Sequence, residues 1–415
     1  MTSTSGSRSV PASRGVAFED ALHSAAEIAA RSPSSHNCQP WAVGWPTGTL
    51  ARRAAAALLG RPTAGEGRPA GRDDGEFLVL ALDRERRLSA LPAHGTEMLL
   101  SCGAYGQILT RALAAQGWPA DGVRFLDPAP GGHGPADGAP GRIFGDRWPD
   151  AWVPLCVVRL RRGHASARDL DELRGTVRAR HTNRGPYDVA GIDPAVLAGL
   201  PTARPGPPSL LTGTEHGPEV TVRHVVADAE RAAVADLVSR HGGRDFSHRL
   251  AWTETYSFVR RDEAEAAARG DGFSLGQLFG PLSPPRRFGM RIALAPPTMR
   301  ILRHVGYHRI LARQLAAVVR HSPAVVALCF GQEEPGAGSV VRGGAVLADY
   351  WLEATRAGLA LHPVSVLLQH DDVRAELERR LGLPGRAFFV SRLGRAVSAF
   401  PPSQRLAAPR ALRRV

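Results

Sequence analysis

The segment from Arg31 to Trp41 reads RSPSSHNCQPW and concentrates short hydrogen-bonding side chains in one place. Hydroxyl and amide groups of serine, asparagine and glutamine both donate and accept hydrogen bonds, and histidine can exchange a proton near neutral pH. A helical pattern from Ala17 to Arg31 ends at Ser32-Pro33, so the segment is predicted to be the loop after a helix. This composition suits recognition of a polar ligand, although Ser-Pro and Asn also serve simply to turn a chain.

A second polar cluster, Arg180 to Arg184, reads RHTNR and ends another predicted helix. Two guanidinium groups and a hydroxyl this close together can bind a phosphate dianion, because the guanidinium fork matches phosphate oxygens. The alternative is a solvated basic helix end, which the helix dipole favours. The four cysteines are widely spaced and form no zinc-type cluster, so no metal site is predicted.

The net positive charge of the chain suggests an anionic partner. Its 415 residues carry 52 Lys+Arg against 39 Asp+Glu, a net charge of +13, and no lysine occurs anywhere. No nucleic-acid-binding signature is present, so we expect an anionic cofactor or substrate and no nucleic-acid partner. The cysteine usage, the lack of a secretory signal and the absence of any apolar run of roughly 18 residues predict a cytoplasmic protein without a membrane partner.

Hydrophobic patterning predicts the same order of elements twice, in an α+β fold. Each half has a helix ending in a polar motif, buried strands, a long amphipathic helix and a closing strand. The two long helices each carry a glycine near the start and another at the end of the amphipathic run. We therefore predict a tandem duplication with a disordered tail at 1–17, halves at 18–165 and 166–397, and a C-terminal tail at 398–415.

One stretch of the second half, about 240–321, has no counterpart in the first and is too long for a connecting loop. We predict a lid-like insertion. Its aromatic residues are candidates for one side of a substrate pocket, with packing of the insertion itself as the alternative: Tyr256, Phe258, Phe273 and Phe279.

The two polar clusters carry a resemblance to a known family. SPSSHNCQPW resembles the flavin-binding loop of the nitroreductase superfamily, and RHTNR resembles the family's basic phosphate-binding motif. The resemblance implies a nitroreductase-like fold and FMN as cofactor. The FMN contacts it implies are Ser34, Ser35, Asn37 and Gln39 in the loop, and Arg180, His181, Thr182 and Arg184 in the basic motif.

Two further segments of the second half are similar to family elements. LHPVS resembles the turn that approaches flavin N5, which implies a contact from Pro363 and the backbone amides of Val364 and Ser365. SRLGR resembles the closing element of the phosphate clamp. Arg392 and Arg395 are three positions apart in a strand and so point to opposite faces; we favour Arg395 as the phosphate ligand, with Arg392 second.

The first half keeps the loop and lacks a well-spaced basic motif, whereas the second half keeps the basic motif and has only PPSLLTG where its loop should lie. In homodimers of the family each flavin contacts both subunits. The complementary losses therefore predict a fused pseudo-dimer with one flavin site, as in the two-domain Acg-like branch that the chain resembles from about Ala17 to Arg395. Such a chain is expected to be a monomer or a weak homodimer.

Two functions remain open on this basis. The first is an FMN-dependent oxidoreductase that moves electrons between a reductant, by family likeness NAD(P)H, and a small organic substrate, for example in a tailoring step of secondary metabolism. The second is a protein that sequesters or stores FMN with little turnover. His36 is a weak catalytic candidate, either a proton donor or a loop residue, and Cys38 is interpreted as structural.

Overall fold

The computed structural model describes residues 16–60, 75–126, 143–200, 209–211 and 220–415, so most of the predicted N-terminal tail lies outside the described residues. The first half forms a sheet in the order β11-β1-β2-β4-β3, where β11 (Leu412–Arg414) comes from the end of the chain, and all neighbours are antiparallel except β1 and β11. Its elements are α1 (Phe18–Ala29), β1 (Trp41–Trp45), α2 (Thr49–Leu58), β2 (Glu76–Asp83), α3 (Pro92–Ala115), β3 (Ala120–Phe125) and β4 (Trp152–Leu160).

The second half forms an antiparallel sheet in the order β5-β8-β10-β9. Strands β2 and β8, which short apolar runs predict, both lie in the interior of their sheets. The elements outside the insertion are α4 (Ala167–Ala179), α5 (Pro194–Gly199), β5 (Val220–Val225), α6 (Asp228–His241), β8 (Ala324–Phe330), α14 (Ala337–Arg356), β9 (Ala360–Pro363), α15 (Asp371–Leu381) and β10 (Arg386–Gly394).

Both sheets are covered on both faces, which explains why their central strands read as continuous apolar runs rather than alternating ones. In β2, Leu78 and Leu80 pack into the core beneath α1 and α3, while Phe77 and Val79 face a second cluster on the other side. Burial on both faces leaves no position in such a strand where a polar side chain is solvated.

The two halves meet where the long helices α3 and α14 cross at very short range. A Cβ placed on Gly103 of α3 would lie 1.9 Å from the Val341 carbonyl oxygen, and a Cβ on Gly344 of α14 would lie 2.1 Å from the Leu100 carbonyl oxygen. Each glycine therefore contacts the residue three positions before its counterpart. This reciprocity is the pattern of a two-fold symmetric interface.

The insertion leaves the second half after α6 and returns along it. Its last helix, α13, packs beside α6, and a small apolar cluster around Leu275, Leu282 and Leu294 holds the rest. The elements are α7 (Gly243–Ser247), α8 (Arg249–Ser257), β6 (Val259–Arg260), α9 (Glu263–Arg269), β7 (Phe273–Ser274), α10 (Leu275–Phe279), α11 (Pro284–Leu294), α12 (Pro296–Leu302) and α13 (Tyr307–Arg320).

The segment that the sequence leaves as a C-terminal tail, 398–415, is an ordered arm rather than an appendage. It crosses from the second half to the first and ends in β11 (Leu412–Arg414), which pairs in parallel with β1. Pairing there satisfies backbone groups that β1 would otherwise leave open at the sheet edge. The arm therefore connects the end of the second half to the loop that follows α1.

Candidate functional site

A cavity of about 810 Å³ lies where the two halves, the insertion and the C-terminal arm meet. This volume lies within the range typical of small-molecule sites. Four of its lining segments were predicted as site elements: the loop after α1, the basic cluster after α4, the turn after β9 and part of the insertion. The tertiary structure thus brings the two polar motifs, which are about 140 residues apart in sequence, into the wall of one cavity.

The loop after α1 has an unusual backbone. His36, Asn37 and Gln39 adopt φ values of 50°, 54° and 54°, in the left-handed region that non-glycine residues seldom occupy. Such conformations persist only when the surroundings determine them, and they concentrate at ligand sites. The loop is therefore fixed by contacts outside itself.

The amides of Asn37 and Gln39 make those contacts. Asn37 Nδ2 donates to the Gly272 and Gln404 carbonyl oxygens, both at 2.9 Å. Gln39 Nε2 donates to the Gly270 carbonyl oxygen at 2.8 Å, and its Oε1 accepts from the Leu406 amide at 3.0 Å. The loop is thereby joined to both the insertion and the C-terminal arm.

Gln39, predicted as a cofactor contact, is not among the residues that line the cavity, because the insertion and the C-terminal arm use both ends of its side-chain amide. Asn37 does line the cavity, and its buried Oδ1 has no partner among the described residues. Ser34 and Ser35 line it as well. Ser34 Oγ accepts from the Gln39 amide at 3.1 Å, and Ser35 Oγ donates to Glu97.

The most distinctive feature of the cavity wall is a group of arginine side chains that have no carboxylate partner among the described residues. Arg31, Arg180, Arg184 and Arg405 all line the cavity, and none forms an ion pair with a carboxylate in the parts of the chain that the structure describes. The Nε atoms of Arg180 and Arg405 are buried and lack any partner there. A buried, uncompensated positive charge is costly, so this arrangement suits an anionic ligand.

Arg180 and Arg405 are held by backbone carbonyls at the end of α1. Arg180 Nη2 donates to the Arg31 carbonyl oxygen at 2.6 Å, and its guanidinium carbon lies 4.9 Å from the Trp351 ring centre. Burial, followed by the nearby charges of Arg405 and Arg31, lowers the pKa of Arg180 to about 9. Burial and Arg31 likewise lower the pKa of Arg405 to about 10. Both shifts record positive charges placed together without a counterion.

The rest of the predicted basic motif also reaches the cavity: His181, Thr182 and Arg184 line it. His181 Nδ1 bonds the Ala179 carbonyl oxygen at 2.8 Å, while its Nε2 is buried without a partner among the described residues. Arg184 lies 5.7 Å from the Phe273 ring centre, and burial lowers its pKa to about 10. The motif therefore lines the site rather than forming a solvated helix end.

The turn after β9 contributes Pro363, Val364 and Ser365 to the wall. The amide of Val364 donates to the Val390 carbonyl oxygen at 2.8 Å, so the prediction that it is available to a flavin is wrong. Ser365 begins a 3₁₀ turn, Ser365–Leu367, where the first amide has no acceptor within the turn. Of the two predicted amides, Ser365 is the one free to meet a ligand.

Neither arginine predicted from SRLGR lines the cavity. Arg392 is 1% exposed and donates to Ser322 Oγ at 2.7 Å and to the Gly185 carbonyl oxygen at 3.0 Å, which makes it part of the core. Arg395, the favoured phosphate ligand, is exposed on the surface. Arg405 of the C-terminal arm lines the cavity instead, and no sequence pattern predicts that residue.

Two of the four predicted aromatic residues, Phe273 and Phe279, line the cavity. The other two do not. Tyr256 packs in the insertion's own apolar cluster, and Phe258 packs against the first-half core with its ring centre 6.2 Å from that of His36. For Tyr256 and Phe258 the packing alternative is the correct one.

Glu97 of α3 is a lining residue that sequence reasoning missed. It accepts from Ser35 Oγ and from Gln369 Nε2, the latter at 2.7 Å, so it joins the loop of one half to the other half. Burial raises the pKa of Glu97, against the opposing influence of His94 and these two hydrogen bonds. A glutamate amid the apolar residues of a long buried helix was the signal available in the sequence.

His36 lines the cavity, and burial together with His94 and Arg184 lowers its pKa to about 3, so its imidazole is neutral at physiological pH. Cys38 is fully buried, and burial raises its pKa, which suits a structural thiol. The described residues contain no group of three or more His, Cys, Asp or Glu able to hold a metal ion. Within the same residues, no helix is long and apolar enough to span a membrane.

Comparison with known proteins gives the following similarities. No protein-family model matches the chain. A protein of Serratia sp. (strain ATCC 39006), described as probable NAD(P)H nitroreductase PigM, is 30% identical over 401 residues, which cover 95% of this chain and 94% of that protein.

Two solved structures are also similar. A protein of Anabaena variabilis ATCC 29413, assigned as a nitroreductase, matches 94% of this chain and 93% of its own at 10% identity and a TM-score of 0.46. The FMN-dependent nitroreductase NfnB of Mycobacterium smegmatis, solved in complex with NADPH, matches 56% of this chain and 94% of its own at 17% identity and a TM-score of 0.33.

Proposed function

The chain belongs to the nitroreductase superfamily, since it shares 30% identity with a nitroreductase over nearly the full length of both, and we propose that it is an FMN-dependent oxidoreductase. Its flavin would occupy the central cavity. The observation that carries the proposal is a group of three arginines in the cavity wall, of which Arg180 is buried, Arg405 half-buried and Arg31 exposed. None of the three has a carboxylate partner in the described residues, and the Nε atoms of Arg180 and Arg405 have no partner there at all.

The lining residues suit the phosphate, the ribityl chain and the ring system of FMN. The arginine group would hold the phosphate, because guanidinium groups bind phosphate oxygens with charge-assisted hydrogen bonds. Asn37 Oδ1, Ser34 and the Ser365 amide would meet the polar edges of the flavin and its ribityl chain. Apolar lining residues such as Leu347 would provide surface for the ring system.

Bound FMN supplies hydride and electron transfer, while the protein supplies position and electrostatics. The insertion covers the cavity with Phe273 and Phe279 and so excludes water from the reacting centre. Glu97, whose pKa is raised by burial, can hold or release a proton in the cavity wall. We propose NAD(P)H as the electron donor, in line with the name of the Serratia relative, and a small organic molecule as the second substrate.

The arrangement also supports one flavin per chain in a fused pseudo-dimer. The reciprocal contacts of Gly103 and Gly344 are those of a two-fold interface. Of PPSLLTG, the second half's counterpart of the loop, the structure describes 209–211. There Leu210 is fully buried in the first-half core, and its backbone N–H donates to Thr110 Oγ1 at 3.0 Å instead of to a ligand.

The test is anaerobic reduction of the purified protein loaded with FMN. We expect one FMN per chain and bleaching of the visible flavin band on addition of NADPH or NADH, with reoxidation by an added quinone. A band that persists with NAD(P)H and is bleached by dithionite would support FMN sequestration instead. A protein that takes up no FMN, or takes up two, would contradict the proposed site.

A further inference from the structure

The outer face of the insertion exposes an unusual number of large apolar side chains. Most of the strongly exposed aliphatic and aromatic residues of the described chain lie on its helices or beside them. They are Leu250 at 64%, Phe288 at 65%, Ile292 at 50%, Ile301 at 70%, Val305 at 76% and Ile310 at 46% exposed. We refer to these six residues as the insertion surface.

The insertion surface is the outward side of helices that are well packed on their inward side. Phe288 and Ile292 are four residues apart on α11, so the two share a helix face. Ile301 lies in the last turn of α12, and Val305 ends the 3₁₀ turn that follows it, Arg303–Val305. On the opposite side, Leu294 and Met299 are 2% exposed. Packing of the helices therefore does not require the exposed residues, which remain available to a partner.

The charge of this region has one sign. Between Asp271 and Glu333 the chain contains no aspartate or glutamate, and its eight arginines are Arg286, Arg287, Arg291, Arg300, Arg303, Arg309, Arg313 and Arg320. Only Arg287 lies within ion-pair distance of a carboxylate, Glu263 at 3.6 Å, among the residues that the structure describes. Exposed apolar side chains and arginines without a carboxylate partner in the described residues thus alternate along the same stretch of the insertion.

This combination distinguishes between the partners that could cover it. A second copy of the chain would place arginines against arginines, which is repulsive. Protein interfaces also use many directional hydrogen bonds, yet Thr298 and Tyr307 are the only neutral hydroxyl or amide side chains from Pro284 to Ile310. An anionic lipid surface requires only positive charge and apolar groups that enter the interface.

We propose that the insertion surface docks the protein peripherally on an anionic phospholipid bilayer, with the arginines at the headgroups and Phe288, Ile292, Ile301 and Val305 entering the interface. This revises the expectation of no membrane partner, which considered only a spanning segment. Leu294 and Leu311 of the same helices line the central cavity, so docking places that wall of the cavity next to the bilayer. Small apolar substrates dissolved in lipid would then reach the cavity from the membrane.

The experiment is sedimentation with vesicles of phosphatidylglycerol and phosphatidylcholine, compared with phosphatidylcholine alone. We expect binding to the anionic vesicles that weakens as salt is raised. The double variant Phe288→Ser/Ile301→Ser should bind at least roughly 30-fold more weakly, because it removes two of the apolar side chains that enter the interface. Arg291→Glu/Arg300→Glu should bind more weakly still at low salt.

The matched control is Val189→Ser/Val397→Ser, which removes two residues that are 77% and 65% exposed but lie outside the insertion. It should bind as the unaltered protein does, and unchanged thermal melting should show that all variants fold. No binding to anionic vesicles at low salt would overturn the proposal, as would an equal loss in the control. If the glutamate variant loses vesicle binding and the serine variant does not, the apolar residues do not enter the bilayer, and that part of the proposal is overturned. Because the assay needs no flavin, its failure leaves the FMN proposal standing.

Discussion

Arg180 and Arg405 donate hydrogen bonds to consecutive carbonyl groups, those of Arg31 and Ser32. Arg180 follows α4, whereas Arg405 lies in the C-terminal arm. Each donates through Nη2, and each leaves its Nε buried without a partner among the described residues. The end of α1 thus gathers two guanidinium groups from distant parts of the chain. Their shared position is why the central cavity suits a phosphate.

The first prediction concerns that phosphate. Arg405→Ala and Arg180→Ala should each weaken FMN binding about 10- to 100-fold, because a hydrogen bond to a charged group contributes about 1.5 to 3 kcal/mol. Binding of riboflavin, which lacks the phosphate, should change little. Fluorescence titration with both flavins measures the difference.

Arg395→Ala is the control for these variants, since Arg395 is exposed and lies outside the cavity wall. It should bind FMN as the unaltered protein does. A larger loss in Arg395→Ala than in Arg405→Ala would restore the assignment made from the sequence and remove the arm from the site.

The second prediction concerns the effect of Glu97 on the free energy of unfolding. Because burial raises its pKa above the ordinary 4.5, the folded protein retains a proton that the unfolded chain releases, and stability falls as pH rises through this interval. Glu97→Gln should therefore be more stable than the unaltered protein near pH 8 and similar to it near pH 4. Urea unfolding at the two pH values tests this, and the same variant should turn over more slowly with a proton-requiring acceptor.

Asp349→Asn is the contrasting control for Glu97→Gln. Burial raises the pKa of Asp349 too, but Asp349 pairs with Arg111 at 2.5 Å, so neutralising it leaves that cation without its partner and should remove the gain expected for Glu97→Gln near pH 8. Equal destabilisation by Glu97→Gln at both pH values would mean that Glu97 serves only as a hydrogen-bond acceptor for Ser35 and Gln369.

The third prediction concerns His36. Its folded pKa of about 3 lies below the ordinary 6.5, so the unfolded chain binds the proton more readily, and stability is complete above pH 6.5 and declines below it. This group should account for a loss of about 2 kcal/mol between pH 6.5 and pH 5. His36→Asn, which tolerates the left-handed backbone, should lose less over that range, whereas the exposed His23→Asn should follow the unaltered protein. A pH profile identical in all three would refute the assigned burial.

The fourth prediction concerns Asn37, whose Nδ2 joins the loop to Gly272 and Gln404. Asn37→Ala should cost about 2 to 4 kcal/mol, because it loses both hydrogen bonds and puts a Cβ residue without a compensating amide in the left-handed region. Asn37→Gly relieves only the backbone and should lie between. Urea unfolding gives the stabilities, and FMN content reports the state of the loop. If both variants match the unaltered protein, the loop is not held by these bonds.

The sequence by itself determined the fold class, the strands β2, β4, β8 and β10, and the two long helices. These are local properties: continuous apolar runs of strand length and helical periodicity, which sheets and helices covered on both sides require. It also predicted that RSPSSHNCQPW and RHTNR are parts of one ligand site, because short amides, hydroxyls and paired guanidinium groups can hydrogen-bond a polar, anionic ligand.

Only the tertiary structure decided which members of those segments reach the cavity. Gln39 was indistinguishable from Asn37 in sequence, yet the arm and insertion use both ends of its amide. Strand alternation places Arg392 and Arg395 on opposite faces and gives no indication of Arg405, which the structure brings into the cavity wall because the arm returns to β1 past the end of α1. Hydrogen bonds between residues hundreds of positions apart cannot be recognised from local sequence patterns. The path of the chain, rather than the composition of any motif, therefore determines which residues line the cavity.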